Sequence, residues 1–396
     1  MKTIVILGGG YAGINLIESL KKELKEELGS TVKIILIDKN AYHFRKVMLM
    51  KAITENRNAL QLKIPFHHYF SKGIELEQGE VVSLNKTNKE VSLQTEGKQL
   101  KELSYDYLAI TLGSRVKEQE AIVEGITLKD EESAHKIRNQ LLALLNRTKV
   151  ISKGNEQIIA PKIAVVGGGI TGIETASELA IWLEEQAQAN GIAPHTIDVL
   201  LFDPKQRLLP QAPKHISEKL EKKVKRLGVS FIPNTRVKEF ENGRLTCEDG
   251  KSYEVGSCIF TNGVQVTPIV KQFNLPLSDR GQLIVNDHYE VAESPGIYAI
   301  GDCAQIKDPI TNEYDGMTCK EAIPQSQRLA KILKNKMTHS SNQVIHKSIP
   351  YRLFCISLGP HEGFVWIQKW GLNFTITGQL GMRFRQFTWD IASLVK

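Results

Sequence analysis

A glycine-rich turn between an apolar run and a helical pattern occurs twice, and this repeat constrains the fold more than any other feature. In the first copy, the apolar residues 3–7 precede Gly8-Gly9-Gly10-Tyr11-Ala12-Gly13 and a helical pattern that runs to about Leu28. A second apolar run, residues 32–37, then ends at Asp38. This order is typical of a βαβ unit, in which a right-handed helical crossover joins two parallel strands.

The second copy has the same order in the middle of the chain. Residues 162–166 precede Gly167-Gly168-Gly169-Ile170-Thr171-Gly172, and the next apolar run, residues 197–202, ends at Asp203. The first motif glycine permits a tight turn, the second lets the backbone approach a pyrophosphate, and the third allows close packing of helix on strand. Free N–H groups at the helix N-terminus then face the phosphates. Each copy therefore predicts a dinucleotide-binding site.

Each βαβ copy is followed by a segment that alternates apolar and polar residues around turns. Segments 75–103 and 233–258 are predicted to be small antiparallel meanders inserted into their dinucleotide domains. Apolar strands that end at Gly113 and Gly263 come next. The predicted fold class is therefore α/β, with two Rossmann-like dinucleotide-binding domains, small antiparallel meanders and a short C-terminal domain.

The aspartates at the ends of the second strands are candidate ribose-binding residues. Asp38 lies 25 residues after Gly13, and Asp203 lies 31 residues after Gly172. A carboxylate at this position can accept hydrogen bonds from an adenosine ribose. Such charge-assisted hydrogen bonds contribute roughly 1.5–3 kcal/mol.

A third motif completes an order that resembles the two-dinucleotide-binding-domain flavoproteins. Residues 296–302 read as an apolar strand that ends in Gly301-Asp302, after the two glycine loops and the strands that end at Gly113 and Gly263. The resemblance covers about residues 1–335. It implies that the first loop holds the FAD pyrophosphate, that Asp302 approaches the ribityl–phosphate region of FAD, and that the second loop holds NAD(P)H.

This resemblance gives the domain boundaries and cofactor contacts as predictions. An FAD-binding domain is expected over 1–118 and 273–335, an NAD(P)H-binding domain over 119–272, and a C-terminal domain over 336–396. Since Asp203 would repel a 2′-phosphate, NADH is predicted over NADPH, although Lys205 and Arg207 follow closely. The predicted cofactor-binding residues are Gly8, Gly10, Tyr11, Ala12, Gly13, Asp38, Lys39, Gly113, Gly167, Gly169, Thr171, Gly172, Asp203, Gly263, Gly301 and Asp302.

Four stretches resemble one branch of these flavoproteins, the type II NADH dehydrogenases, which pass electrons from NADH through FAD to a quinone. They are Tyr42-His43, Gly169-Ile170-Thr171-Gly172-Ile173-Glu174, Leu208-Leu209-Pro210 and Thr261-Asn262-Gly263-Val264-Gln265. The resemblance implies that Glu174 lies near the nicotinamide and the flavin. A carboxylate in the first turns of a helix is also favoured by the helix dipole alone, so both interpretations of Glu174 stay open.

The chain departs from the quinone-site signature of that branch, Ala-Gln-x-Ala-x-Gln. Aligned with the signature, it has Lys320 in place of the first glutamine and Pro324 in place of the second. Lys320 resembles instead the lysine near the flavin of apoptosis-inducing-factor-like quinone reductases, where a cation would stabilise negative charge on reduced flavin. Lys320 and Gln325 are therefore the candidates for the flavin and acceptor pocket, with Glu174 as the third candidate catalytic residue.

Cysteine usage and charge exclude several functions. None of the five cysteines lies in a CxxC or CxxxxC pair, and segment 42–50 has none, so neither dithiol chemistry nor a metal site is expected. This usage also favours a reducing cytoplasm. Because the basic residues behind the net charge of +7 are scattered, no nucleic-acid partner is expected. No uninterrupted apolar run reaches the roughly 18 residues of a membrane-spanning helix.

The C-terminal segment is compatible with more than one partner. Residues 338–349 are predicted to be a polar linker. In segment 380–394, apolar positions have partly helical spacing and alternate with arginines. Such a segment can form an interfacial membrane helix, or pack against the core or across a homodimer.

Three functions therefore compete. The first is an NADH:quinone oxidoreductase with ping-pong kinetics, peripheral on the inner face of the cell membrane. The second is a soluble NAD(P)H-dependent flavin reductase with a protein or small-molecule acceptor. The third is a non-enzymatic flavoprotein that senses redox state.

Overall fold

A computed structural model describes residues 1–55, 60–117, 124–153, 161–193 and 197–395. The described chain forms two five-stranded parallel sheets with flanking helices, several small antiparallel sheets, and a C-terminal unit of three strands and one helix. This architecture confirms the predicted α/β fold with two Rossmann-like domains.

The elements are numbered here in chain order. The strands are β1 (Lys2–Leu7), β2 (Val32–Asp38), β3 (Tyr42–Phe44), β4 (Lys63–Pro65), β5 (Ile74–Gln78), β6 (Glu80–Asn85), β7 (Glu90–Gln94), β8 (Leu100–Ser104), β9 (Tyr107–Ile110), β10 (Ser114–Val116), β11 (Ile126–Thr127), β12 (Lys162–Val166), β13 (Asp198–Phe202), β14 (Val229–Ile232), β15 (Val237–Glu241), β16 (Arg244–Cys247), β17 (Ser252–Glu254), β18 (Ser257–Phe260), β19 (Val264–Val266), β20 (Leu283–Ile284), β21 (Ile297–Ala299), β22 (Ala304–Gln305), β23 (Arg352–Ser357), β24 (Gly363–Lys369) and β25 (Leu372–Thr377). The helices are α1 (Tyr11–Glu23), α2 (Lys51–Thr54), α3 (Glu131–Lys153), α4 (Ile170–Ala189), α5 (Lys214–Arg226), α6 (Cys319–Thr338) and α7 (Gly378–Ala392).

The two parallel sheets have matching topologies. The first has the strand order β21-β9-β1-β2-β5 and the second the order β11-β18-β12-β13-β14. In each sheet the strand before the glycine loop is central, which explains why β1 and β12 are almost entirely apolar. The glycine loops consequently lie at the carboxyl edges of the two sheets, where α/β proteins bind their ligands.

The predicted helix after the first glycine loop is shorter than its pattern suggests. We expected it to run to about Leu28, but α1 ends at Glu23. The chain must turn back to enter β2, and Gly29 provides that turn with a φ of +78°.

Both predicted meanders are present, but the first begins later than the sequence predicts. β6, β7 and β8 form one antiparallel sheet, and β15, β16 and β17 form the other. Segment 75–103 was predicted to be entirely meander. The first residues of this segment belong instead to β5, which pairs in parallel with β2. The apolar side chains of β5 complete the core of the first sheet.

A short antiparallel ribbon joins the two dinucleotide domains. β10 pairs with β19, so that Ser114 lies opposite Val266. Each ribbon strand begins directly after a predicted cofactor-binding glycine, Gly113 or Gly263. The N–H of Lys117 also donates to the carbonyl oxygen of Gly263 at 2.9 Å.

The C-terminal unit packs on the second dinucleotide domain and on α1. β23, β24 and β25 form an antiparallel sheet, and α7 follows β25 directly. Gly363 and Gly381 let α7 approach β24 closely, since a Cβ on either would overlap the backbone of the other. Phe364, Trp366, Met382 and Trp389 of this unit share one buried cluster with residues of α4.

The predicted linker before this unit is attached to the first domain. Residues 340–349 contain neither helix nor strand, as expected of a linker. His346 is nevertheless buried, and its N–H donates to the carbonyl oxygen of Asp287 at 2.7 Å. Across the described residues, every helix is too short or too polar to span a bilayer.

Candidate cofactor and acceptor site

The first glycine loop leaves an open backbone surface at the N-terminus of α1. Gly8 has a φ of +95°, a conformation that glycine adopts without strain. A Cβ on Gly13 would overlap the carbonyl oxygen of Gly8, so only glycine allows α1 to pack this closely on β1. A Cβ on Gly10, in contrast, would meet no atom within 4 Å. The loop therefore fits a pyrophosphate that approaches Gly10 and the first N–H groups of α1.

The second glycine loop repeats this geometry at the N-terminus of α4. Gly167 has a φ of +113°, and a Cβ on Gly172 would overlap its carbonyl oxygen. A Cβ on Gly169 would again meet no atom within 4 Å, and Thr171 in the first turn of α4 is exposed. The second loop therefore fits a second dinucleotide.

Two threonines that sequence analysis did not single out hold the loops in place. The hydroxyl of Thr111 lies 2.9 and 2.7 Å from the two carbonyl oxygens where β1 enters its loop. The hydroxyl of Thr261 has the same position at the end of β12, at 3.0 and 3.1 Å. The signal in the sequence is a threonine two residues before Gly113 and before Gly263.

The two predicted ribose aspartates have equivalent partners. One carboxylate oxygen of Asp38 accepts a hydrogen bond from the N–H of Gly9 at 2.7 Å, and Asp203 accepts one from Gly168 at 2.5 Å. The other oxygen of each accepts from the N–H two residues further along, at 2.8 and 2.7 Å. Burial raises the pKa of Asp38 above its usual range. Both carboxylates therefore lie against the glycine loops, and Lys39 lies exposed beside Asp38.

The Gly301-Asp302 turn packs directly on the start of α1. Gly301 has a φ of +75°, and a Cβ there would lie 3.0 Å from the Cβ of Ala12. The carboxylate of Asp302 accepts a hydrogen bond from the hydroxyl of Ser114 at 2.5 Å. Burial raises the pKa of Asp302, and the Ser114 hydrogen bond opposes that rise. The tertiary structure thus brings this distant motif to the first glycine loop.

Gln325 contacts the back of the same turn. It is buried, and its amide oxygen accepts a hydrogen bond from the N–H of Gly301 at 2.9 Å. Its amide nitrogen donates to Asp315 at 2.7 Å, and Asp315 also accepts a hydrogen bond from Ser348 at 2.6 Å. Because both polar atoms of Gln325 already have partners, this geometry suits a residue that positions Gly301 and Asp302.

His43 of the Tyr-His stretch packs against Tyr11 of α1 beside the first loop. Nδ1 of His43 lies 3.0 Å from the carbonyl oxygen of Gly9. The His43 ring stands edge-on to the ring of Tyr11, and the Tyr11 hydroxyl accepts a hydrogen bond from the N–H of Val47 at 3.2 Å. Burial lowers the pKa of His43 to about 4, so the neutral ring donates through Nδ1. The role of His43 is not apparent from the sequence of this stretch alone.

Glu174 lies in a buried ion pair with the C-terminal helix. Its carboxylate oxygens lie 2.8 Å from Nε and 3.1 Å from Nη2 of Arg385. One of them also accepts a hydrogen bond from the N–H of Ser357 at 2.8 Å. Glu174 is only 2% exposed, and burial raises its pKa while the Arg385 guanidinium opposes that rise. Arg385 cannot be predicted from the sequence, because no local pattern relates it to Glu174.

Lys320 extends from the first turn of α6 toward the C-terminal sheet. Its Nζ donates to the carbonyl oxygen of Leu353 at 3.3 Å and lies 5.1 Å from the ring centroid of Phe354. Glu321 is 3.9 Å away. The α6 N-terminus is thus linked to β23, and the Lys320 ammonium remains partly exposed.

The end of α7 contacts the first dinucleotide domain. Arg45 donates to Asp390 at 2.5 Å, and the hydroxyl of Tyr69 donates to the carbonyl oxygen of Ser393 at 2.9 Å. Asn15 donates to the carbonyl oxygen of the last residue of α7 at 3.0 Å. Since Arg385 binds the second domain, α7 spans both dinucleotide domains within two helical turns.

The five cysteines are free. Within the described part of the chain, no three His, Cys, Asp or Glu side chains are grouped so as to hold a metal ion.

Comparison with protein families gives a match over most of the chain. The sequence profile described as "Pyridine nucleotide-disulphide oxidoreductase" matches residues 2–327. The type II NADH:quinone oxidoreductase of Haemophilus influenzae is 28% identical over 77% of this chain and 74% of its own length. The NADH dehydrogenase-like protein YutJ of Bacillus subtilis is 23% identical over 92% of both chains. Demethylphylloquinone reductase NdbB of Synechocystis is 25% identical over 77% of this chain and 72% of its own.

Solved structures share the fold at lower identity. NDH2 from Plasmodium falciparum, in complex with NADH, has a TM-score of 0.82 at 18% identity, over 98% of this chain and 94% of the other. The sulfide:quinone oxidoreductase of Aquifex aeolicus has a TM-score of 0.77 at 15% identity, over 99% and 90%.

Proposed function

The chain belongs to the pyridine nucleotide-disulphide oxidoreductase family, and on this premise we propose that it is an FAD-dependent enzyme that oxidises NADH and passes two electrons to a quinone. The pair of matching glycine loops carries the proposal, since each has an open glycine and a carboxylate at the end of the next strand. The relatives supply the substrate classes, because their names include NADH:quinone oxidoreductase and demethylphylloquinone reductase.

The residues of the first domain fit FAD. Gly10 presents open backbone at the N-terminus of α1, and Asp38 lies at the end of the neighbouring strand for the adenosine ribose. Asp302 follows Gly301, which packs on the start of α1, and its carboxylate is held by Ser114. The second domain offers the equivalent donors for NADH through Gly169.

When bound, FAD would supply the two-electron chemistry that links NADH to the quinone. The protein binds both nucleotides, orients their rings and excludes water. The β10–β19 ribbon fixes one domain against the other, and α7 joins them a second time through Arg385 and Asp390. These two connections hold the relative orientation that direct transfer between two cofactors requires.

Glu174 and Lys320 are the proposed catalytic residues of this site. The Arg385 guanidinium favours the ionised form of Glu174 against burial, and the ion pair holds α7 against the helix that begins at the second glycine loop. Lys320 places a cation at the start of α6, where it can stabilise negative charge in the acceptor pocket. Gln325 contributes by holding the Gly301-Asp302 turn.

The second domain is suited to NADH over NADPH. Asp203 would repel a 2′-phosphate, and its carboxylate is held by two backbone N–H groups. The Arg207 guanidinium could attract a 2′-phosphate and offset this repulsion. It donates instead to the carbonyl oxygens of Pro210 and Ala212 at 2.9 and 3.2 Å. Lys205 is exposed and lies closer to Asp203 in the chain than Arg207 does.

We further propose that the C-terminal unit contacts an anionic membrane at the cytoplasmic face. Its outer surface carries exposed apolar side chains on β25, on the turn before it and on α7. These are Trp370, Leu372, Phe374, Leu380, Phe387 and Ile391. Nζ of Lys369 lies 4.1 Å from the ring centroid of Trp370, which places positive charge beside this apolar surface. Apolar side chains next to lysines match an anionic lipid surface.

Co-sedimentation with vesicles tests the membrane contact. The full-length protein should bind vesicles containing phosphatidylglycerol, and Leu372→Ser with Phe374→Ser should weaken that binding. Leu100→Ser is the matched control, since Leu100 is 70% exposed but lies on the first meander. Vesicle binding that is unaffected by the double substitution would overturn the proposed contact. A homodimer in light scattering that the double substitution dissociates would assign this surface to a second copy instead.

Anaerobic rapid mixing tests the proposed reaction. NADH should bleach the flavin absorbance of the purified protein, and a menaquinone analogue should restore it much faster than oxygen does. Restoration only by soluble acceptors would favour a flavin reductase, and failure of NADH to bleach the flavin would favour a redox sensor. A colourless protein that does not bind added FAD would exclude the whole proposal.

A further inference from the structure

The two carboxylates of the proposed FAD site create an electrostatic problem. Asp38 contacts the first glycine loop through Gly9, and Asp302 faces the same loop from the Gly301 turn. The diphosphate of FAD is itself negatively charged. The N-terminus of α1 supplies only about half a positive charge, so it cannot balance these groups alone.

Lys46 supplies a cation at the point where these elements meet. Its Nζ donates to the carbonyl oxygen of Ser114 at 3.1 Å, and the hydroxyl of Ser114 donates to Asp302 at 2.5 Å. The next residue, Val47, donates its N–H to the hydroxyl of Tyr11, the first residue of α1. The segment that carries Lys46 therefore contacts the start of α1, and its ammonium reaches the residue that binds Asp302.

The Lys46 ammonium is available to a ligand. An ammonium has three N–H donors, and the carbonyl oxygen of Ser114 occupies one of them. The side chain also retains exposed surface. The remaining donors can therefore bind an anion that enters between the loop and Asp302.

We propose that Lys46 is a binding residue for the diphosphate of FAD and neutralises it between Asp38 and Asp302. This inference rests on the proposed function, since it requires FAD in the first loop. It adds a residue that neither the glycine motif nor the Gly-Asp motif contains.

The electrostatic surroundings of Lys46 agree with this role. Burial lowers the pKa of Lys46, the negative charges of Asp302 and Asp38 raise it, and the positive charge of Lys39 lowers it further. Both aspartates therefore favour the charged form of Lys46, and a bound diphosphate would favour it further.

Titrations of the full-length protein after removal of its flavin test the inference. We expect Lys46→Met to weaken binding of FAD and of ADP by about 10- to 100-fold, because a charge-assisted hydrogen bond is lost. Binding of riboflavin, which lacks phosphate, should not change. Lys46→Arg should restore most of the affinity for FAD. Lys86→Met is the matched control, since Lys86 is exposed in a turn of the first meander.

A pH series keeps the test informative if Lys46→Met folds poorly. The affinity of the wild-type protein for FAD should fall as pH rises and Lys46 loses its proton, and Lys46→Gln should lose this dependence. If Lys46→Met and Lys46→Gln bind FAD as tightly as the wild type, the inference is overturned. It is also overturned if these variants lose affinity for riboflavin but not for ADP. A wild-type protein that binds no FAD would instead refute the proposed function, which separates the two failures.

Discussion

Arg385 and Glu174 form a bidentate ion pair between two domains, although 211 residues separate them in the chain. The guanidinium lies 2.8 and 3.1 Å from the two carboxylate oxygens, and both side chains are largely buried. A buried charge is strongly destabilising without its partner, so each residue depends on the other. The pair joins α7 to the helix that begins at the second glycine loop.

Removing one partner of this pair should destabilise the protein. We expect Arg385→Gln to lower the free energy of unfolding by about 3–5 kcal/mol, because Glu174 is left as an uncompensated buried charge. The double variant Arg385→Gln with Glu174→Gln should recover part of that loss. Denaturant unfolding of both variants measures the effect. Arg383→Gln is the control, since Arg383 is exposed on the same helix, and an equal loss in the control would contradict the assignment.

Substitutions at two glycines of the first loop should separate cofactor binding from folding. Gly10→Ala should leave the stability of the flavin-free protein nearly unchanged, because its Cβ would meet no protein atom, yet abolish FAD retention. Gly13→Ala should destabilise the flavin-free protein as well, because its Cβ would overlap the backbone of Gly8. Flavin absorbance and thermal unfolding are the two measurements. Gly97→Ala, in an open turn of the first meander, should change neither.

His43 should make the protein sensitive to mild acid. Burial lowers its pKa to about 4 in the folded state, below the value of about 6.5 expected in the unfolded chain. The unfolded state therefore binds more protons between these values, and stability should be lost as pH falls from 6.5 toward 4. Unfolding free energies measured across this range should show a shallower slope in His43→Asn. The same slope in that variant and in the wild type would rule out His43 as the cause.

Asp203 should determine the preference between the two nicotinamide cofactors. Asp203→Ala should lower kcat/KM for NADH by about 10- to 100-fold, since a charge-assisted hydrogen bond to the ribose is lost. The value for NADPH should fall less or rise, because the repulsion of its 2′-phosphate is also removed. Steady-state kinetics with both cofactors measures the ratio. Asp249→Ala, in an exposed turn of the same domain, is the control, and an unchanged ratio in Asp203→Ala would show that the ribose assignment is wrong.

Much of the nucleotide-binding framework could be predicted from the sequence because it is encoded locally. The turn, close approach and helix start of each glycine loop require glycine within six consecutive positions, as in Gly8 to Gly13. The aspartates follow at the end of the next strand, a position that periodicity identifies. The repetition of this unit, the two meanders and the parallel sheets follow from the same local signals.

Local patterns in the chain thus specify two dinucleotide-binding units and their order, whereas the surroundings of these units depend on tertiary packing. The pairing of Arg385 with Glu174, the position of Lys46 beside Asp302 and the contact of Gln325 with Gly301 all join segments far apart in the chain. Such contacts depend on which distant segments meet in the fold, and a periodic pattern identifies the buried face of one element but not its partner. For the same reason, Glu174 could be identified as a candidate, but its partner could not.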